Sequence, residues 1–137
     1  MARKFSSHCY NTNARRIAGI LTDLYNLSLA EAGINTAQFC LLRNLERIGS
    51  ANLTAWAEAT GIERTTMVRD AKILSAEGLI ELAEGRGKVF TLSDKGRETI
   101  KRALPLWDGA QERVRTALGD EDAAALLRIG QKIVDID

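Results

Sequence analysis

The 137-residue chain is short of the side chains that most site chemistry needs. It has one histidine, His8, and two cysteines, Cys9 and Cys40, 31 positions apart. No tetrahedral zinc set can be assembled from that inventory, and a histidine-dependent hydrolase or two-histidine metal enzyme is nearly excluded. The phosphate-binding and nucleophile patterns GxxxxGK[ST], GxGxxG and GxSxG are also absent. The expectation is a protein that is not an enzyme and holds neither metal nor cofactor. With one proline and 11 glycines there are few chain breakers, which favours long helices over a sandwich of short strands. No apolar run approaches the roughly 20 residues of a membrane span. The beginning, MARKFSSHCYNTNARR, is polar and basic with no apolar core of a secretory signal, so a cytoplasmic protein with no membrane association is expected. A chain of this length forms one domain without disulfides or metal.

The net charge is +1 and is unevenly spread. Residues 1–60 carry +2, residues 61–102 carry +2 and residues 103–137 carry −3. A local basic surface can steer phosphates even when the whole chain is nearly neutral.

Apolar residues recur at helical spacing from Asn13, through Ile17, Leu21, Leu24 and Tyr25, to about Ala32, with Gly33 as the stop. Asn35 and Gln38 form a capping pair for a second helix reaching about Arg47. Residues 53–60 then predict a short helix, Gly61 a turn, and residues 63–77 another helix. Ala57, four positions before Gly61, permits a close crossing, and Ile62 and Met67 fill the angle. This is helix-turn-helix spacing. On the later helix Met67, Ala71 and Leu74 face inward, leaving Arg64, Thr65, Arg69 and Lys72 outward or flanking. Arginine and threonine reach guanine edges, thymine methyls and phosphates from a major-groove helix. A solvated charged face would carry the same residues.

Leu79–Ala83 and Lys88–Leu92 predict two strands around a tip, Glu84-Gly85-Arg86-Gly87, that displays Arg86 and Lys88. A helix-turn-helix followed by a basic-tipped hairpin is the winged-helix layout, the wing being aimed at the minor groove or backbone. Ser93 caps a further helix to about Leu118, which Pro105 is expected to kink or interrupt. Gly119-Asp120 opens a last helix to about residue 135. The terminal helices, roughly 8–32, 94–118 and 120–135, are too apolar to stand alone, and another copy of the chain is the simplest cover. Cys40, between Phe39 and Leu41, reads as a small buried hydrophobe. Trp56 and Trp107 read as anchors of core or interface, and Tyr10 and Tyr25 as core residues, with the lining of a pocket as the alternative.

Over nearly its whole length the chain resembles the MarR family of winged-helix regulators. The segments that carry the resemblance are Gly33–Phe39, Gly61–Arg69, Glu77–Ile80, Thr91–Gly96 and Ala103–Trp107. The family's recognition helix reads Asp-Arg-x-Thr-x-x-Arg, matched by Glu63, Arg64, Thr66 and Arg69, with Thr65 at its Ser/Thr position. The wing departs from the family's acidic-x-Arg-Arg run, because Gly87 replaces the second arginine. The resemblance implies a mainly α fold with a DNA-binding lobe at about 35–92 and dimerisation helices at about 8–32 and 94–135. It implies a homodimeric regulator, a repressor in the family's usual mode, that binds a pseudo-palindromic site on double-stranded DNA. Arg64, Thr65 and Arg69 would meet bases, Thr66 and Lys72 phosphates, and Arg86 with Lys88 would act in the wing. Release would follow a small aromatic or phenolic effector bound between the first, second and fifth helices, or oxidation of Cys9, since some members sense oxidants near the start of the first helix. Arg3, Lys4, Arg15 and the helix N-terminus would activate that thiol; an inert terminal cysteine is the alternative. A winged helix that serves only protein interaction is the rival reading of the whole.

Overall fold

The computed structural model describes residues 4–85 and 87–136. Six helices and three short strands follow the chain in the order α1 (Tyr10–Leu29), α2 (Thr36–Ile48), β1 (Ser50–Ala51), α3 (Leu53–Thr60), α4 (Arg64–Ala76), β2 (Ile80–Leu82), β3 (Phe90–Leu92), α5 (Asp94–Leu118) and α6 (Asp120–Ile133). A 3-10 turn, Ala30–Ala32, ends the first helix. Mainly α with a small wing sheet is the architecture the sequence predicts. Among the described residues, no helix is long and apolar enough to cross a membrane.

The helix starts follow from local hydrogen bonding. Asn35 Oδ1 accepts from the Gln38 N–H at 2.8 Å, and Gln38 Oε1 accepts from the Asn35 N–H at 3.0 Å. That reciprocal pair satisfies two donors that the first turn of α2 leaves open. Asn52 caps α3 in the same manner through Ala55, and Ser93 caps α5 through Gly96. Gly61 closes α3 with φ +78°, its N–H donating to the Ala57 and Glu58 carbonyls. A left-handed conformation there turns the chain into α4 at little cost only for glycine.

Three sequence expectations are corrected. The sheet has three strands rather than two, ordered β1-β3-β2, because Ser50 and Ala51 pair antiparallel with Thr91 and Phe90. Two residues with no alternation give no strand signal of their own. Pro105 does not interrupt α5, which runs unbroken from Asp94 to Leu118. The hydrogen bond it forfeits is to the carbonyl of Lys101; both residues lie on the exposed side, where water satisfies that carbonyl. Cys40 is exposed, not buried: Phe39, Leu41, Leu42 and Leu45 form the inward face of α2.

The core joins α2, α3, α4 and the sheet to the first half of α5. Trp56, Leu29, Leu42, Leu45, Met67, Leu74 and Ile100 are the largest apolar side chains that are fully buried in it. By contrast α1 buries only Leu29 and α6 buries nothing, while Ile17, Ile20, Leu127, Ile129 and Ile133 stay exposed.

The start of α5 is bolted to the end of α4. Ser93 Oγ donates to the Gly78 carbonyl at 2.6 Å, and the Lys95 ammonium donates to the Glu77 carbonyl at 2.6 Å. Gly96 makes this approach possible: a Cβ there would lie 2.1 Å from the Leu79 carbonyl oxygen. Backbone cannot yield as a flexible side chain does. Gly96→Ala is therefore expected to destabilise the fold by about 3 kcal/mol, read as a lowered urea midpoint at unchanged slope. A midpoint within error of the parent would show that this junction is loose.

Candidate nucleic-acid interface

The surface formed by α4 and the wing gathers most of the residues singled out from the sequence. Arg64, Thr65, Arg69 and Lys72 are exposed, whereas Thr66 is half-buried. Successive helical residues are offset by about 100°, so Thr65, Arg69 and Lys72 share the outward face opposite Met67, Ala71 and Leu74. Thr66 lies on the flank away from Lys72. The Lys72 flank faces the wing, and a shallow groove of about 270 Å³ separates it from Lys88, floored by Leu53, Val68, Ala71 and Phe90. Thus Lys72 and Lys88 come together, and Thr66 stands apart from them. Arg86 lies outside the described residues.

Arg64 is held in place from the neighbouring helix, its Nε–H donating to the Thr54 hydroxyl at 3.3 Å. Sequence reading assigns Thr54 no role, because its partner lies ten positions on, in the next helix. The ion pairs among the described residues are Arg43–Glu46, Asp94–Arg97 and Glu112–Arg115, each three residues apart on one helix. Arg64, Arg69, Lys72 and Lys88 are in none of them. Their charge is thus free to meet an external anion.

Behind this surface lie two further cavities. One, of about 410 Å³, sits between α1, α2 and α5 and is lined by Tyr25, Thr36, Phe39, Cys40, Arg43, Asn44 and Trp107. The other, of about 380 Å³, lies between α1, α5 and α6. Both fall within the size range of small-molecule sites. Tyr25 lines both, and Trp107 packs on Phe39 with ring centroids 6.1 Å apart; Tyr10 is almost wholly exposed. Tyr25 thus takes the pocket-lining role that was the alternative to core packing, and Tyr10 is not in the core. Trp56 meets its expectation as a core anchor, and its indole N–H donates to the Leu41 carbonyl at 3.0 Å.

The same arrangement recurs in solved structures along almost the entire chain. The transcriptional regulator MosR of M. tuberculosis, solved also in complex with DNA, is 27% identical, with 95% of this chain and 98% of that chain covered and a TM-score of 0.78. The transcriptional repressor CouR bound to a 23-mer DNA duplex is 25% identical over 96% of this chain and 99% of that one, with a TM-score of 0.86. CouR is also solved bound to p-coumaroyl-CoA. The chain is a winged helix of the MarR type. BpsR of Bordetella bronchiseptica, whose DNA binding is regulated by 6-hydroxynicotinic acid, shares this MarR-type fold at 20% identity, with 98% and 100% coverage and a TM-score of 0.85. No family model matches the chain. Among curated proteins, the phenylalanine–tRNA ligase alpha subunits of Aeropyrum pernix and Pyrococcus furiosus are 23% identical over 115 residues and 29% over 65 residues. The chain spans only 24% and 13% of their lengths.

In this MarR-type chain Cys9 is the N-cap residue of α1, and its thiol is fully exposed. The Thr12 hydroxyl, followed by the backbone N–H groups of Thr12 and Asn11, lowers its pKa below the ordinary thiol value. These groups favour the thiolate without forming a cap bond to the thiol. The activation thus comes from the helix start and not from Lys4 or Arg15; Arg3 lies outside the described residues. A lowered pKa raises the thiolate fraction near neutrality. In a Cys40→Ser background, the pH-rate profile of alkylation by iodoacetamide is expected to have its midpoint below that of an unstructured peptide of the same local sequence. Thr12→Val should move it back up. Coincident midpoints for protein and peptide would remove any structural activation of Cys9.

Proposed function

We propose that this protein is a sequence-specific DNA-binding transcriptional regulator of the MarR type that works as a homodimeric repressor. The observation that carries the reading is the row of unpaired cations and threonines on α4, continued by Lys88 across the groove from Lys72. On this reading α4 enters the major groove. Arg64, Thr65 and Arg69 meet base edges, Thr66 and Lys72 hold phosphates on opposite flanks, and Arg86 with Lys88 meets the backbone or minor groove. The exposed apolar residues of α1 and α6 support association with a second copy, which pairs two α4 helices on a two-fold symmetric site. The cavity between α1, α2 and α5 takes a small aromatic or phenolic effector against Phe39 and Trp107, and the reactive Cys9 offers oxidation as a second route of release.

The test is selection of genomic duplex fragments by the purified protein at two salt concentrations. Enrichment of a two-fold symmetric site with half-sites about one helical turn apart is expected, with affinity falling steeply as salt rises. Binding that ignores sequence, or none at all, would refute the reading and favour an interaction module. Within a selected site, Arg69→Ala should cost about 1–3 kcal/mol, about 5- to 150-fold, with relaxed preference at one base pair. Lys72→Ala should weaken all sequences alike and lower the salt slope by about one phosphate contact. Equal behaviour of the two variants would overturn the division between base and phosphate contacts.

A further inference from the structure

Arg64 opens α4 and Thr54 lies in the first turn of α3, ten positions earlier. The left-handed Gly61 folds the two helices so that the Arg64 Nε–H donates to the Thr54 hydroxyl at 3.3 Å. Thr54 is a fixed point. Asn52, two positions before it, caps α3 through the Ala55 N–H. Trp56, two positions after it, has no exposed surface and donates to the Leu41 carbonyl. An arginine side chain otherwise samples many rotamers, and ordering it on binding costs affinity. Both partners are exposed, so water competes for their bond in the free protein. A duplex lying over α4 would exclude that water, and the bond strengthens in the lower dielectric.

A guanidinium carries one N–H on Nε and a pair on each terminal nitrogen. With the Nε–H engaged by Thr54, the terminal nitrogens are left to meet a partner. Their two parallel N–H groups match the O6 and N7 acceptors that guanine presents in the major groove. The side-on alternative, which uses Nε with one terminal nitrogen, is closed while the bond to Thr54 holds. We propose that Thr54 is a positioning residue that holds Arg64 end-on and so makes it a reader of guanine rather than a contact to phosphate. The inference rests on the DNA-binding reading above, and adds to it the base that Arg64 selects and the residue that fixes the choice.

The test measures the affinity of the purified protein for a duplex obtained by the selection above and for its single-base-pair substitutions across one half-site. Arg64→Ala is expected to abolish a guanine preference at one position. Thr54→Val, isosteric but without the hydroxyl, should lower that preference about three- to tenfold, the cost of ordering one such side chain. The other positions and the salt slope should stay as in the parent, since Thr54 carries no charge. Thr54→Ser keeps a hydroxyl at the same place and should retain the preference. Combined with Arg64→Ala, Thr54→Val should change nothing further, because the partner through which it acts is gone. If Thr54 merely supports α3, its loss weakens every sequence alike and persists in the Arg64→Ala background, which overturns the inference. So does an unaltered preference in Thr54→Val, or an Arg64→Ala protein that keeps every preference or loses one for a base other than guanine. Melts by circular dichroism verify folding, and Thr54→Ala takes the place of Thr54→Val should the latter not fold. A parent protein that discriminates no sequence removes the DNA-binding reading itself, whereas discrimination left intact by Thr54→Val removes only the positioning role.

Discussion

Everything that positions the recognition surface rests on how Trp56 is buried. Its indole lies under α3 with no exposed surface, touches the Phe90 ring of β3 at 6.1 Å between centroids, and donates to the Leu41 carbonyl of α2. One side chain therefore fixes a helix of the helix-turn-helix against both α2 and the sheet that carries the wing. Burying an indole removes about 200 Å² from water, roughly 5 kcal/mol of gross stabilisation before chain entropy is subtracted. The single hydrogen bond adds direction rather than much energy, because it forbids the ring to rotate within its pocket. With α3 fixed, the left-handed Gly61 sets the crossing of α4, and Arg64 is held to Thr54 across that crossing.

The second mechanical constraint is the junction between α4 and α5. Three contacts to consecutive residues, Lys95 to the Glu77 carbonyl, Ser93 to the Gly78 carbonyl, and the Ser93 N–H to the Leu79 carbonyl, tie the start of the longest helix to the end of α4. The missing side chain of Gly96 lets the two backbones meet. Any tilt of α5 is consequently passed toward α4 through one main-chain bond, two side-chain bonds to main-chain carbonyls and the close backbone contact at Gly96. The cavities beside α5 lie along the same rod, so on the proposed effector reading a molecule filling them would act on the end that holds α4.

The exposed apolar residues on α1 and α6 set a different physical demand. A 14-residue helix with nothing fully buried and only Ala123, Ala125 and Leu126 half-buried gains little tertiary contact to offset its ordering cost. Its acidic first turn, Asp120, Glu121 and Asp122, favours the helix through the macrodipole, and Lys132 in the last turn does the same at the other end. These terms are small. In the proposed homodimer, association with the second copy would supply the rest, making dimer formation and the order of the terminal helices one equilibrium.

What the sequence by itself determined is whatever depends on neighbours within about four residues. The Asn35–Gln38 capping pair, the Ser93 cap, the left-handed Gly61 and the inward set Met67, Ala71 and Leu74 were all legible, because a turn's hydrogen bonds and a helix's period are local. The outward face of α4 followed from the same period. Tertiary structure alone decided the remainder. Ser50 and Ala51 are a strand only because Thr91 and Phe90 lie beside them. Cys40 is flanked by apolar residues yet exposed, since α2 turns its neighbours inward and leaves it at the gap beside α1 and α5. Pro105 continues a helix because its forfeited bond lies on the wet side. Tyr25 shares the apolar spacing of Leu21, yet its partner is Gln111, 86 positions away. No local pattern encodes such a contact; it exists because packing α1 on α5 brings the two groups together.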